Sequence, residues 1–61
     1  MLPKHDLEIQ VEGFLGFAGK PENRGIALRL VFARWARSKH FSLEDTGSIW
    51  RLVREAIPGG L

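Results

Sequence analysis

The chain has 61 residues, no cysteine and a formal net charge of +2. This length allows one small domain, and without cysteine the domain can contain neither a disulfide nor a thiolate metal site. We therefore expect residues 1–61 to form a single domain, stabilised by helix packing or by association with another chain.

The N-terminal residues contain no uninterrupted apolar stretch of the kind found in signal peptides, because charged side chains recur between Lys4 and Glu8. No segment approaches the roughly 18 consecutive apolar residues of a membrane span. We expect a cytoplasmic protein that has no membrane partner, and the absence of cysteine fits a reducing compartment.

The first predicted element fits both a strand and a helix. Leu7, Ile9 and Val11 alternate with polar residues, as in a half-buried strand. The same region also carries apolar residues at the spacing of one helical face, namely Leu7, Val11, Phe14, Leu15 and Ala18.

The flanks of this element favour the helix. Pro3 and Asp6 are typical of a helix start, whereas a single strand would have no second strand in this chain to pair with. We predict a helix over 4–18. The alternative is an α+β domain in which a strand over 7–12 pairs with its equivalent across a dimer.

Gly19-Lys20-Pro21 separates this element from the next one. Glycine just past one helix and proline in the first turn of the following helix are the expected residues at helix ends. The segment therefore predicts a helical hairpin with a short connection and a second helix over 22–39.

The predicted second helix is apolar on two sides. One stripe consists of Ala27, Leu28, Val31, Phe32 and Trp35. The opposite side places Ile26, Leu30 and Ala33 among Arg29, Arg34 and Arg37. A helix with two apolar sides is normally buried on both. Either the neighbouring helices cover the second side, or it contacts another copy of the chain.

The last element begins with a capping box formed by Ser42 and Asp45. Gly47 interrupts the pattern, so we predict a helical turn near 42–46, followed by a helix over 48–57 that Pro58 ends. The fold class expected from these elements is a small all-α domain of three helices.

Both tryptophans lie on apolar helix faces. We expect Trp35 and Trp50 to pack against each other in the core; the alternative is that one of them is an exposed anchor for a partner.

Positive charge is concentrated in residues 20–40, which hold six of the nine basic residues and a single acidic one. The flanking segments are acidic, so the simplest explanation is that neighbouring helices neutralise one another. Arginines that remain free could instead bind carboxylates or phosphates.

No enzyme motif is present, neither a P-loop nor a nucleophile elbow nor a zinc-protease helix. Glycines at 13, 16 and 19 lack the context of a dinucleotide site and are better explained by close helix packing or flexibility. His5 and His40 have no partner at metal-ligand spacing. We expect no catalytic residue, no metal site and no cofactor.

The favoured function is a non-enzymatic interaction or regulatory module that binds or blocks a partner protein with an acidic surface. Self-association is expected as well. The candidate contact residues combine arginines with two apolar side chains, as at interface cores and rims: Arg29, Leu30, Arg34, Trp35, Arg37, Arg51 and Arg54.

DNA binding is the alternative function. Residues 41–57 can be aligned with a helix-turn-helix in which Gly47 forms the turn and 48–57 the recognition helix. Apolar side chains would occupy most of the base-reading surface of that helix. Phosphate contacts through Arg29, Arg34 and Arg37 nevertheless remain physically reasonable.

Overall fold

A computed structural model describes residues 2–57 of the chain. These residues form three α-helices, α1 (Lys4–Ala18), α2 (Leu28–Lys39) and α3 (Leu43–Ala56), with a 3-10 turn at Pro21–Asn23. No strand occurs in this range. The all-α prediction is therefore confirmed, and the alternative with an N-terminal strand is wrong.

Helix α1 has the predicted bounds. Pro3 precedes it in an extended conformation, and Asp6 lies in its first turn, where a carboxylate is favourable. At the other end, the Gly19 N–H donates to the Leu15 carbonyl at 3.1 Å. The buried face of α1 centres on Phe14, which is 0% exposed, so the helical periodicity describes this segment and the strand alternation does not.

Helix α2 starts later than the sequence predicted. The Asn23 side chain is buried and donates from Nδ2 to the Phe17 carbonyl at 2.7 Å, which closes the end of α1. Gly25 then takes φ = 79°, a left-handed conformation that interrupts any helix. The hairpin is present, but its connection is longer than expected, and the predicted start at residue 22 is wrong.

Helix α3 is continuous, so the predicted turn near 42–46 and the separate helix over 48–57 are also wrong. The Ser42 hydroxyl accepts the Asp45 N–H at 3.1 Å, which confirms the cap. Such a cap stabilises a helix by about 1 kcal/mol. Together with burial of Ile49 and Val53, both 0% exposed, it offsets the cost of Gly47, about 1 kcal/mol. Pro58 lies outside the described residues.

The core is a cluster of mainly aromatic and β-branched side chains from all three helices. Its buried members are Val11, Phe14, Val31, Phe32, Trp35, Ala36, Ile49 and Val53. The Phe14 ring lies 5.1 Å from Phe32 and 5.3 Å from Trp35, between ring centroids. Phe32 contacts both indole rings, Trp50 at 4.9 Å and Trp35 at 5.9 Å. The two tryptophans, which the sequence predicted to pack against each other in the core, both contact Phe32, and Trp50 is only partly buried.

A hydrogen bond joins the N-terminal ends of α1 and α3. The Leu2 N–H donates to Asp45 Oδ1 at 3.0 Å. This bond, with a smaller contribution from the Ser42 hydroxyl, stabilises the carboxylate and lowers the pKa of Asp45 against the opposing effect of burial. The two helix starts therefore lie together, and residues further along both helices also lie side by side, so α1 and α3 are neighbours that run in the same direction.

The domain is thin. Its Cα extents are 31 × 25 × 16 Å, and two packed helices span roughly 13–15 Å between outer Cα atoms, given their radius and separation. The shortest dimension therefore corresponds to two helix layers. No helix can be covered on both sides in such an arrangement, which leaves an outward face on each.

Candidate functional site

The outward face of α2 is an exposed apolar and basic surface. Leu30, Ala33, Arg34 and Arg37 lie at helical spacing i, i+3, i+4 and i+7, opposite the buried side of the helix, and we call them the α2 ridge. Leu30 is 64% exposed. The sequence left open whether neighbouring helices cover this side, and the described part of the chain leaves it uncovered.

The basic part of the α2 ridge lines an open depression of about 290 Å³. Its described lining consists of Ala33, Arg34 and Arg37 and contains no carboxylate. Like charges at i, i+3 repel by a few tenths of a kcal/mol on a helix. Because this described lining holds no carboxylate, it gives no sign that a neighbouring helix neutralises Arg34 and Arg37. An acidic group from outside the domain would relieve their repulsion.

Two other candidate residues of α2 take part in packing. The Arg29 guanidinium carbon lies 5.3 Å from the centroid of the Trp50 ring, a cation–π contact that connects α2 with α3. Trp35 is 4% exposed and packs 5.5 Å from Phe41 as well as against Phe14. Trp35 is therefore a core residue, as its apolar stripe indicated, and is not part of the α2 ridge.

The remaining candidates, Arg51 and Arg54, are exposed on α3. They lie on the side of the helix opposite Ile49 and Val53, given the rotation of 100° per residue. Arg54 is in the last turn of α3, where a positive charge interacts favourably with the helix dipole. The predicted contact residues are thus divided between two helices, and the one exposed apolar residue among them, Leu30, is on α2.

A second concave surface was not predicted from the sequence. It lies between α1 and α3, has a volume of about 320 Å³, and is lined by Glu8, Val11, Leu52, Glu55 and Ala56. We call it the α1–α3 groove. Each helix places a glutamate three residues from an apolar side chain, a pattern visible in the sequence. The two glutamates line the same groove because α1 and α3 pack in parallel, and the sequence pattern does not reveal this packing.

No three potential metal ligands come together among residues 2–57. His40 ends α2 in the left-handed conformation, with φ = 60°, and so has a capping position. A Cβ atom added at Gly13 or Gly16 would have nothing within 4 Å, apart from local backbone. Close packing therefore does not explain these two glycines.

None of the three described helices combines the length and apolar character needed to cross a lipid bilayer. Neither a family model, nor a curated protein, nor a solved structure matches the chain. The geometry of the two surfaces is thus the basis for assigning a function.

Proposed function

We propose that this protein is a small non-enzymatic interaction module whose α2 ridge binds an acidic, partly apolar surface of a partner protein. The observation that carries the proposal is the 64% exposure of Leu30 beside two exposed arginines. By occupying such a surface, the module would block it for other ligands and so act as a regulator.

The energetics of the α2 ridge are those of a small binding site. Complete burial of a leucine side chain contributes roughly 1.5–3 kcal/mol, so covering the exposed part of Leu30 would contribute about 1–2 kcal/mol. Arg34 and Arg37 can each make paired hydrogen bonds to a carboxylate. Because one short helix face buries little area, we expect weak, reversible binding.

The proposal is tested by capturing partners from the native host with cross-linked protein and identifying them by mass spectrometry. We expect Leu30→Glu, and separately the double change Arg34→Glu and Arg37→Glu, to remove the specific partner. Leu43→Glu is the matched control, because Leu43 is 93% exposed and lies outside both the α2 ridge and the α1–α3 groove.

The α3 arginines provide a second control. Charge reversal at Arg51 and Arg54 should leave capture intact, since the proposal places the contact on α2. Partner capture that survives both α2 variants, or that is lost equally with Leu43→Glu, would refute the proposal.

Nucleic-acid binding is the competing function, supported by the two arginines in the basic depression. Other features oppose it. A helix-turn-helix would need a turn at Gly47, but Gly47 is helical and lies inside α3. The first turn of α3 also carries Glu44 and Asp45, which would repel phosphates at the end that a recognition helix presents to DNA.

A titration of unrelated duplexes near physiological salt separates the two functions. We expect weak or undetectable binding. Dissociation constants below about 1 µM, with a log–log salt slope of roughly −0.9 per neutralised phosphate, would replace the protein-interaction proposal. In that case replacing Arg34 and Arg37 with alanine should lower the affinity similarly for all sequences, because phosphate contacts carry little sequence information.

A further inference from the structure

We propose that the α2 ridge of one copy docks into the α1–α3 groove of a second copy, so that the chain associates head to tail. This inference rests on the proposed function, because it identifies one partner for the α2 ridge as the protein itself.

The chemistry of the α1–α3 groove is the complement of the α2 ridge. The described lining of the groove contains two carboxylates, Glu8 and Glu55, and no basic side chain. Its other members are the apolar residues Val11, Leu52 and Ala56. An occupant of the groove should therefore present cationic groups beside a small apolar side chain.

The α2 ridge meets this requirement within two turns of one helix. From Leu30 to Arg37 it spans about 10 Å along the axis, and it carries the same number of positive charges as the groove carries negative ones. Laying one helix face between two others is a common mode of protein recognition. Leu30 would contact the apolar floor, while Arg34 and Arg37 pair with Glu8 and Glu55.

This contact joins two different surfaces, and that determines the kind of assembly it can form. Because the ridge is on α2 and the groove is between α1 and α3, one copy keeps a free groove and the other a free ridge after the first contact. Such heterologous contacts generate rings or open chains rather than a closed pair with a single interface. Average mass should therefore increase progressively with concentration and decrease with added salt, which screens the charge pairs.

The test uses sedimentation equilibrium from about 10 µM to about 1 mM, a range that detects weak association. Wild type should rise from the monomer mass of 6.9 kDa to twice that value or more. A groove variant, Glu8→Arg with Glu55→Arg, should remain a monomer. A ridge variant, Arg34→Glu with Arg37→Glu, should do the same. All four positions are exposed, and far-UV circular dichroism checks that each variant keeps its helices.

Mixing the two variants is the decisive step. Each variant repels its own copies, but in the mixture every ridge finds a groove of opposite charge, so association should return. A second readout comes from amide chemical shifts, which on dilution should change at both the α2 ridge and the α1–α3 groove. Leu43→Glu should associate like wild type.

Two results would overturn the inference. One is a wild-type mass that stays at 6.9 kDa over the whole range. The other is association that persists in the groove variant, which would mean that ridge meets ridge or that other surfaces are used. Neither result affects the proposed function, which is tested separately by the partner-capture and duplex-binding experiments.

Discussion

Replacing Phe14 with alanine tests whether the aromatic cluster determines the stability of this domain. Phe14 is 0% exposed, and its ring contacts Phe32 at 5.1 Å and Trp35 at 5.3 Å. Truncation to alanine removes both contacts and leaves a cavity between three helices. The same change at an exposed position should have almost no effect.

The expected magnitude is a large part of the total stability. Buried phenylalanine-to-alanine changes cost about 3–5 kcal/mol. A domain of 61 residues has a free energy of unfolding of roughly 3–9 kcal/mol, from 0.05–0.15 kcal/mol per residue. We therefore expect Phe14→Ala to lose between about one third and all of this stability. Phe14→Leu, which keeps an apolar side chain there, should cost about 2 kcal/mol, at about 0.8 kcal/mol per carbon group removed.

Urea denaturation, followed by both tryptophan fluorescence and far-UV circular dichroism, measures these losses, and coincident curves establish two-state unfolding. The fluorescence is a local probe, because Trp35 packs on Phe14. Leu43→Ala is the control, since Leu43 is 93% exposed, and should change stability by less than about 0.5 kcal/mol. A loss below about 1 kcal/mol for Phe14→Ala, or a loss of equal size for Leu43→Ala, would refute the proposed core.

Four further predictions concern single positions, each measured by the same denaturation. Gly47→Ala should stabilise the domain by about 0.5–1 kcal/mol, because alanine favours the helix and its methyl group would meet no atom outside the local backbone. Gly25→Ala should destabilise it by about 1 kcal/mol, because the φ angle of Gly25 is 79°, a left-handed conformation. His40→Gly should stabilise it by about 0.5–1 kcal/mol by relieving a left-handed non-glycine residue; an unchanged midpoint would show that the cap is unstrained. The lowered pKa of Asp45 gives stability that is complete above about pH 4 and is lost as the pH falls through the folded-state value. The Asp45→Asn variant should lack this component of the acid dependence.

The sequence predicted the helix whose ends are marked by local residues. It failed where a side chain replaces the backbone as a hydrogen-bonding partner. The bounds of α1 follow from Pro3, Asp6 and the apolar spacing. The late start of α2 depends on the Asn23 amide, which binds the Phe17 carbonyl, and on the left-handed Gly25. Side-chain bonds of this kind replace helical ones without leaving a periodic pattern.

The candidate surface was predicted in part. Periodicity identified two apolar sides on α2 and placed Trp35 in the core, but only the packed structure shows that Leu30 remains exposed. The α1–α3 groove could not be found from the sequence, because Glu8 and Glu55 line the same groove only when two helices that are far apart in the sequence pack together. Gly47 was misread as a break because burial of its neighbours outweighs its helix propensity.

The pairing of the first helix with the last one also constrains how this protein forms during synthesis. The bond from Leu2 to Asp45 spans 43 residues, and the core cluster that contains Phe14 also contains Ile49 and Val53 of α3. At about 5–20 residues per second, the ribosome needs roughly 2–8 s to proceed from the end of α1 to the end of α3. Helical domains fold in microseconds to milliseconds. Translation therefore sets the pace, because α2 can pack on α1 first, whereas the contacts of α1 with α3 can form only seconds after α1 has been synthesised.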